Sequence, residues 1–410
     1  MELVYKRCCG LDIHKKIIVA CCVDEHGKKE IRSFGTMTDD LIKFCRWLKE
    51  KGSEIVAMES TASYWKPIYN LLEVEDIPAM LVNAQHIKNV PGRKTDVKDS
   101  EWIADLLRHG LLKPSLVPKR PARETKELVR YRTSLIEERA REYNRLDKVL
   151  QGANIKLSSV ASRMDTKSGM EMIKAIARGE CSEDVLASMA KGTMKTKKDD
   201  LIRALKGYIQ PHQQEIIGHM LSHIEFLSKQ IEKLDEEIDS RMSADEELVR
   251  LLDEIPGVGK QTAQVLVSEI GTDMSVFPSA KHLTSWAGVC PGNNESAGKK
   301  KRGKTRKGNK TLKKTLVQCG RSAARKKDSY FQSMYSRIAA RRGANIAAMA
   351  LARSILEIYY YMARDGVTYC DLGADHFVRN NREDIVRRSV RRIEALGYRV
   401  IVSEEEAIAS

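Results

Sequence analysis

The chain has 410 residues, 71 Lys+Arg against 56 Asp+Glu, a formal net charge of +15 and nine cysteines. That length allows two or three domains, each with its own core. No apolar stretch approaches the roughly 18 residues of a spanning helix and the N-terminus has no signal-peptide core, so the expectation is a cytoplasmic protein with no membrane partner.

Residues 4–35 read as two or three strands: Ile17 to Val23 is apolar and β-rich, and Asp24-Glu25-His26-Gly27 is a turn signal before Lys29 to Phe34. Thr38 opens a helix to about Lys51, with Leu41, Phe44, Cys45 and Leu48 at helical spacing. A strand (54–58), a helix (63–75), a strand (78–82), a loop with Pro91-Gly92 and a helix bearing Asp99 follow. Antiparallel strands and then alternating helix and strand is the order expected of a ribonuclease H-like α/β domain. Residues 122–150 form one long charged helix, 151–210 a mixed helical stretch. After Pro211 the positions Ile217, Met220, Ile224, Leu227, Ile231, Leu234 and Ile238 step by 3 and 4 in a coiled-coil heptad. Its partner is either helix 122–150 of the same chain or a second copy.

Charge is uneven. Residues 1–109 hold 17 Lys+Arg and 17 Asp+Glu, so the whole excess lies in 110–410. A neutral front joined to a basic remainder points to a polyanionic partner, nucleic acid first and an anionic membrane surface as the rival. Lys299 to Lys314 concentrates this, with ten Lys/Arg in sixteen residues and no acid, placed as a loop within a folded domain. Before it, Ile255-Pro256-Gly257-Val258-Gly259-Lys260 has the form of the turn in a helix-hairpin-helix motif, where backbone N–H groups approach phosphate. An ordinary helix corner is the alternative. The candidate nucleic-acid contacts are Gly257, Gly259, Lys260, Lys299, Lys300, Lys301, Arg302, Lys304, Arg306, Lys307 and Lys310. Helices over 334–363 follow, then a charged helical pattern from Arg382 to Leu396 and a short β-like run, Tyr398 to Val402.

The cysteines form no C-x-x-C pair and no zinc-finger spacing, which suits a reducing compartment and burial as small apolar residues. Zinc at the Cys8-Cys9 and Cys21-Cys22 doublets is the alternative.

Four acids carry the chemistry. Asp12 and Glu59 stand at the ends of strand-like apolar runs, and Asp96 and Asp99 lie three apart where a helix begins. An all-carboxylate set is a hard-oxygen site suited to Mg²⁺ or Mn²⁺, the ions of metal-assisted phosphodiester chemistry. For Asp96 and Asp99 the competing role is to cap the helix and favour its dipole.

Gly10-Leu11-Asp12-Ile13-His14-Lys15, Met58-Glu59-Ser60-Thr61, Val82-Asn83-Ala84 and Lys94-Thr95-Asp96-Val97-Lys98-Asp99 resemble the DEDD transposases of bacterial insertion sequences. That group includes pilin-gene-inverting recombinases and bridge-RNA-guided transposases. Ile255 to Gly259, Trp286-Ala287-Gly288-Val289-Cys290-Pro291 and Ser296-Ala297-Gly298-Lys299 resemble the family's C-terminal domain.

The resemblance implies an α/β plus α chain: a ribonuclease H-like (RuvC-like) domain over 1–115, a helical coiled-coil domain over 116–247, a C-terminal transposase domain over 248–370 and a tail over 371–410. It implies Mg²⁺ held by Asp12, Glu59, Asp96 and Asp99, and a serine nucleophile, by position Ser296, forming a phosphoserine link to DNA. It implies target and donor DNA, a noncoding bridge RNA as guide, and a homo-oligomer, dimer or tetramer. By composition alone Ser296 is a loop serine, with Ser279, Ser285 and Ser322 as rivals, and Glu295 beside it departs from the small residue common in relatives. Two other functions fit the residues: a junction nuclease using water with the same carboxylates, and a non-catalytic nucleic-acid binder.

Overall fold

A computed structural model of the chain describes residues 3–60, 62–83, 99–161, 163–180, 182–292, 295–296, 299–300, 305, 308–380 and 382–402. It divides into two compact units, 1–123 and 124–410.

Unit 1 is built on a five-stranded sheet of order β3-β2-β1-β4-β5. Strands β1 (Cys8–Ile13), β2 (Ile17–Val23) and β3 (Lys29–Gly35) are antiparallel neighbours. β4 (Ile55–Glu59) runs parallel to β1, and β5 (Ala79–Val82) parallel to β4. The central strand β1 is apolar on both sides because both are covered. Cys9, Leu11 and Ile13 pack with Val56 and Met58 against α1 (Thr38–Glu50) and α2 (Trp65–Val74), which contribute Phe44, Trp47, Leu48, Ile68 and Leu72. Each such side chain, fully buried, contributes about 1.5–3 kcal/mol. On the opposite face Cys8, Ala57 and Val82 pack against Ile103, Leu106 and Leu107 of α3 (Asp99–Arg108).

Most of α4 (Arg120–Gly152) belongs to unit 2, where it pairs with α9 (Pro211–Arg241). Leu135 packs on Leu227 and Ile231, and Leu146 and Leu150 join a core with Ile217 and Ile224. Polar pairs step along the same seam: Arg132 with Asp235, Arg139 with Ser228, Glu142 with His223 and Arg241 with Glu124. As residue numbers rise on α4 they fall on α9, so the helices are antiparallel and the heptad seam is filled within one chain. Between them, α5 (Leu157–Val160), α6 (Lys167–Ala177), α7 (Glu183–Ser188) and α8 (Lys198–Leu205) form a small helical cap. Met172, Ile173, Ile176, Leu186, Leu201 and Leu205 share one core with the ends of α4 and α9.

The remainder of unit 2 comprises α10 (Glu246–Asp253), α11 (Lys260–Ile270), α12 (Ala280–Trp286), α13 (Lys310–Ala323), α14 (Tyr330–Arg342) and α15 (Ala344–Asp365). α15 is central, with Ala347, Ala348, Leu351, Ala352, Ile355 and Leu356 fully buried. Two short helices, α16 (His376–Arg379) and α17 (Arg382–Glu394), close the described chain. The strand expected at Tyr398 to Val402 does not form: the segment is irregular and pairs with no strand among the described residues.

Cys8, Cys9, Cys21, Cys22, Cys45 and Cys319 are buried, as their apolar setting predicts. Burial pushes the Cys8, Cys21 and Cys319 thiols up to about 12, leaving them protonated and inert near neutral pH.

Glu269 of α11 is fully buried, and it ties three elements of unit 2 together. Arg130 of α4 grips it with Nε and Nη2 at 2.5 and 2.9 Å, Lys126 Nζ lies at 2.9 Å, and Asn309 Nδ2 donates at 2.5 Å. Burial pushes this carboxyl up, but Arg130, Lys126 and Asn309 together hold it below the usual glutamate range. Removing one side of a buried pair costs about 3–5 kcal/mol; Arg130 is half-exposed and can be rehydrated, which lowers the figure. Glu269→Ala should therefore reduce the unfolding free energy by about 2–4 kcal/mol in urea titrations. Because the folded carboxyl is the stronger acid, its contribution is complete above about pH 4.3 and is lost as pH falls through the lower folded value. The gap between wild type and Glu269→Ala should narrow in that acidic window.

Candidate active site

The placement of the first carboxylates follows from strand register. β1 and β4 pair in parallel from Cys8↔Ile55 to Leu11↔Met58. One further step brings Asp12 beside Glu59 on strands about 4.8 Å apart. In-register residues of a parallel pair share a face, and Asp12 and Glu59 lie two residues beyond Gly10 and Ala57, on the side covered by α3. Asp12 is half-buried and hydrogen-bonded, Oδ2 to His14 Nε2 at 3.0 Å.

Asp99 reaches this end of the sheet because α3 lies directly on β1. Val4 and Tyr5 N–H donate to the Arg108 carbonyl at 3.0 and 3.4 Å, so the helix ends near the start of β1 and begins near its finish. Cys8 Sγ contacts the Ala104 carbonyl at 3.6 Å, and a Cβ on Gly10 would overlap the Ser100 carbonyl oxygen and the Ala104 amide nitrogen. Only glycine permits that approach. Asp99 is the first described residue of α3, with Glu101 in the same turn, where acids suit the helix dipole. Asp96 lies outside the described residues. Among the described residues no three His, Cys, Asp or Glu side chains form a group that could hold a metal ion.

Ser296 belongs to unit 2. β6 (Glu295–Ser296) pairs with β7 (Lys299–Lys300), Ser296 opposite Lys299, and Pro291 bridges Thr305 further down. Ser296 is thus paired with the first lysine of the basic run. Lys299 and Lys300 are in β7, and exposed Lys310 opens α13; Lys301, Arg302, Lys304, Arg306 and Lys307 lie outside the described residues. The described residues beside the run are bonded to the helical body. Lys313 Nζ donates to Thr305 Oγ1 at 2.5 Å, and Asn309 caps α13 by accepting from Leu312 N–H while donating to Glu269.

The turn at 254–259 joins α10 and α11. Gly257 has φ +83°, and its Cβ position is occupied by the Cys319 carbonyl and Ala323 amide of α13. Its glycine therefore serves packing onto α13. Gly259 precedes α11, and Lys260 Nζ donates to Asp239 at 2.7 Å.

Gly10 and the Glu269–Asn309 link were not singled out from the residues. A glycine inside a strand pattern is a signal for close backbone approach, and an acid within the apolar Val265 to Ile270 is a signal for a buried pair.

Comparison with known proteins matches residues 9–155 to a family model described as "Transposase" and residues 249–336 to one described as "Transposase IS116/IS110/IS902 family". The chain belongs to the IS110 family of insertion-sequence transposases. It is 24% identical over 373 residues to the Yersinia enterocolitica transposase for insertion sequence element IS1328, covering 88% of this chain and 97% of that protein. An IS110 protein of 43.6 kDa from Streptomyces coelicolor is 28% identical over 302 residues, 68% of this chain and 73% of its own. The Moraxella bovis pilin gene-inverting protein is 38% identical over 96 residues, 23% of this chain and 27% of its own. As an IS110-family transposase the protein is a DNA-recombining enzyme, and its substrates are DNA. No helix among the described residues is long and apolar enough to cross a membrane.

Gly10→Ala should force α3 away from β1. Overpacking of this kind costs about 1–3 kcal/mol, so thermal stability and DNA-cleavage activity should fall together in this variant.

Proposed function

We propose that unit 1 is a ribonuclease H-like (RuvC-like) domain whose Asp12, Glu59, Asp96 and Asp99 hold a divalent ion, Mg²⁺ or Mn²⁺, while Ser296 is the nucleophile that cuts and rejoins DNA. The observation that carries this reading is the register placing Asp12 beside Glu59 on the α3 face of the sheet. Three antiparallel strands with two parallel strands added beyond β1 support the fold assignment. The donor set suits the ion by its chemistry: carboxylates are hard oxygen ligands, and the buried cysteines offer no competing thiolate. Bound there, the ion would supply Lewis-acid stabilisation of negative charge on the reacting phosphate.

The chain's own residues do the rest. His14 restrains the Asp12 carboxylate through its hydrogen bond. Ser296 has the first lysine of the basic run as its strand partner, a setting that favours approach to phosphate. Attack by Ser296 Oγ on phosphorus forms a phosphoserine ester as one backbone oxygen departs; one hydroxyl is consumed and one released, so the reverse step can rejoin strands. The basic 110–410 region binds target and donor DNA and a structured noncoding bridge RNA that acts as guide, and the enzyme works as a homo-oligomer in the cytoplasm. Gly259 and Lys260 of the helical turn are further phosphate contacts.

Asp12→Asn and Asp99→Asn should each lose more activity than the roughly 10–100-fold that outer-sphere changes at metal sites cost, with DNA binding retained. Cleavage that survives both substitutions rejects the metal assignment. Divalent-ion-dependent cleavage of cognate DNA, run with and without the element's flanking transcript, should yield a protein–DNA adduct stable to detergent and absent in Ser296→Ala. Cleavage by Ser296→Ala without any adduct would assign the nucleophile to water.

A further inference from the structure

The C-terminal helix α17 (Arg382–Glu394) carries none of the individual site residues named above. At about 100° per residue, Arg387, Arg391, Arg388 and Arg392 fall within an arc of about 140°. All four are exposed, and residues 385–393 contain no acid. The helix's three acids, Glu383, Asp384 and Glu394, stand at its two ends, and Asp384 Oδ1 lies 3.9 Å from Arg387 Nη1 with both side chains more than half exposed. An exposed pair of that length holds an arginine only weakly. Val386, Val390 and Ile393 lie on the opposite side of the helix.

This helix is rooted on the folded body. Asp371 Oδ1 accepts from the Tyr330 N–H at 2.9 Å at the start of α14. The Phe377 ring of α16 stacks on Tyr330 with centroids 5.1 Å apart, and the Arg337 guanidinium lies over the Phe377 ring, 4.3 Å from its centroid. Phe331 and Tyr369 are parallel at 6.0 Å. α17 follows directly from this anchored aromatic cluster.

We propose that the arginine face of α17 binds the phosphate backbone of double-helical DNA. Guanidinium forks match phosphate oxygens bidentately, and their weak hydration makes the exchange from water inexpensive. Arg387 to Arg392 spans about 7.5 Å of helix axis, which corresponds to about two phosphates along a strand rising about 3.4 Å each. One arginine pair per turn can therefore meet successive phosphates. A lipid surface is less well matched: an interfacial helix usually presents Trp or Phe on its apolar side, and residues 382–394 contain no aromatic residue. The proposal rests on the family's DNA chemistry and is independent of the metal and serine assignments.

The test uses the full chain with Arg387, Arg388, Arg391 and Arg392 all changed to Gln, and a second variant with all four changed to Lys. Fluorescence anisotropy on a labelled 40-base-pair duplex of unrelated sequence, titrated across salt concentrations, reads the number of phosphates engaged. The Gln variant should lower the slope of log K against log salt by about 2–4, and the Lys variant should keep it near wild type, with far-UV spectra unchanged in both. An unchanged slope in a folded Gln variant overturns the proposal. So does a loss confined to phosphatidylglycerol vesicles or to structured RNA with duplex DNA binding intact.

Discussion

Unit 1 depends on a contact between two backbones. α3 rests on β1 through Cys8 and Gly10, with no side chain between strand and helix at residue 10. That single missing Cβ sets the depth of α3, and with it where the helix begins relative to the strand ends. An apolar sheet on one side, and Ile103, Leu106 and Leu107 on the other, hold that spacing.

Unit 2 solves a different problem, which is to hold a highly basic segment without letting it unfold the domain. Asn309, which follows the basic run, is fastened to a carboxylate that has no solvent exposure. Thr305 within the run is bridged to Pro291 and accepts from Lys313. The same carboxylate that holds Asn309 reaches Lys126 and Arg130 on α4, so the fastening of Asn309 and the docking of the longest helix are one interaction.

The sequence was legible where a pattern answers to a local rule. The strand and helix order of unit 1 follows from period-2 and period-3.6 apolar spacing, and the 3-and-4 stepping from Ile217 to Ile238 shows a seam. It does not show the partner, since a heptad stripe is equally complementary to a helix of its own chain or of another; the crossed pairs Arg132–Asp235 and Glu142–His223 decide it for this chain. The cap between residues 157 and 205 was illegible because its helices are short and their burial is imposed by the ends of α4 and α9. Tyr398 to Val402 has strand composition but pairs with no strand among the described residues, so composition misled. At the site, acids ending apolar strands were visible as such, whereas the equivalence of 12 and 59 is a property of register that no local spacing carries. For Gly257 the motif suggested contact with a ligand, while the space around it is filled by α13.

The antiparallel seam has an evolutionary consequence. Because α4 and α9 run side by side, Gly152 and Pro211 emerge close together, and residues 153–210 are topologically an excursion at the tip of a helical hairpin. Material can be gained, lost or exchanged there without threading through the sheet or the helical body. The two family models stop at residue 155 and resume at 249, bracketing that excursion. Divergence among relatives has an open port at this tip, through which a transposon lineage can acquire new recognition surface while its catalytic machinery stays in place.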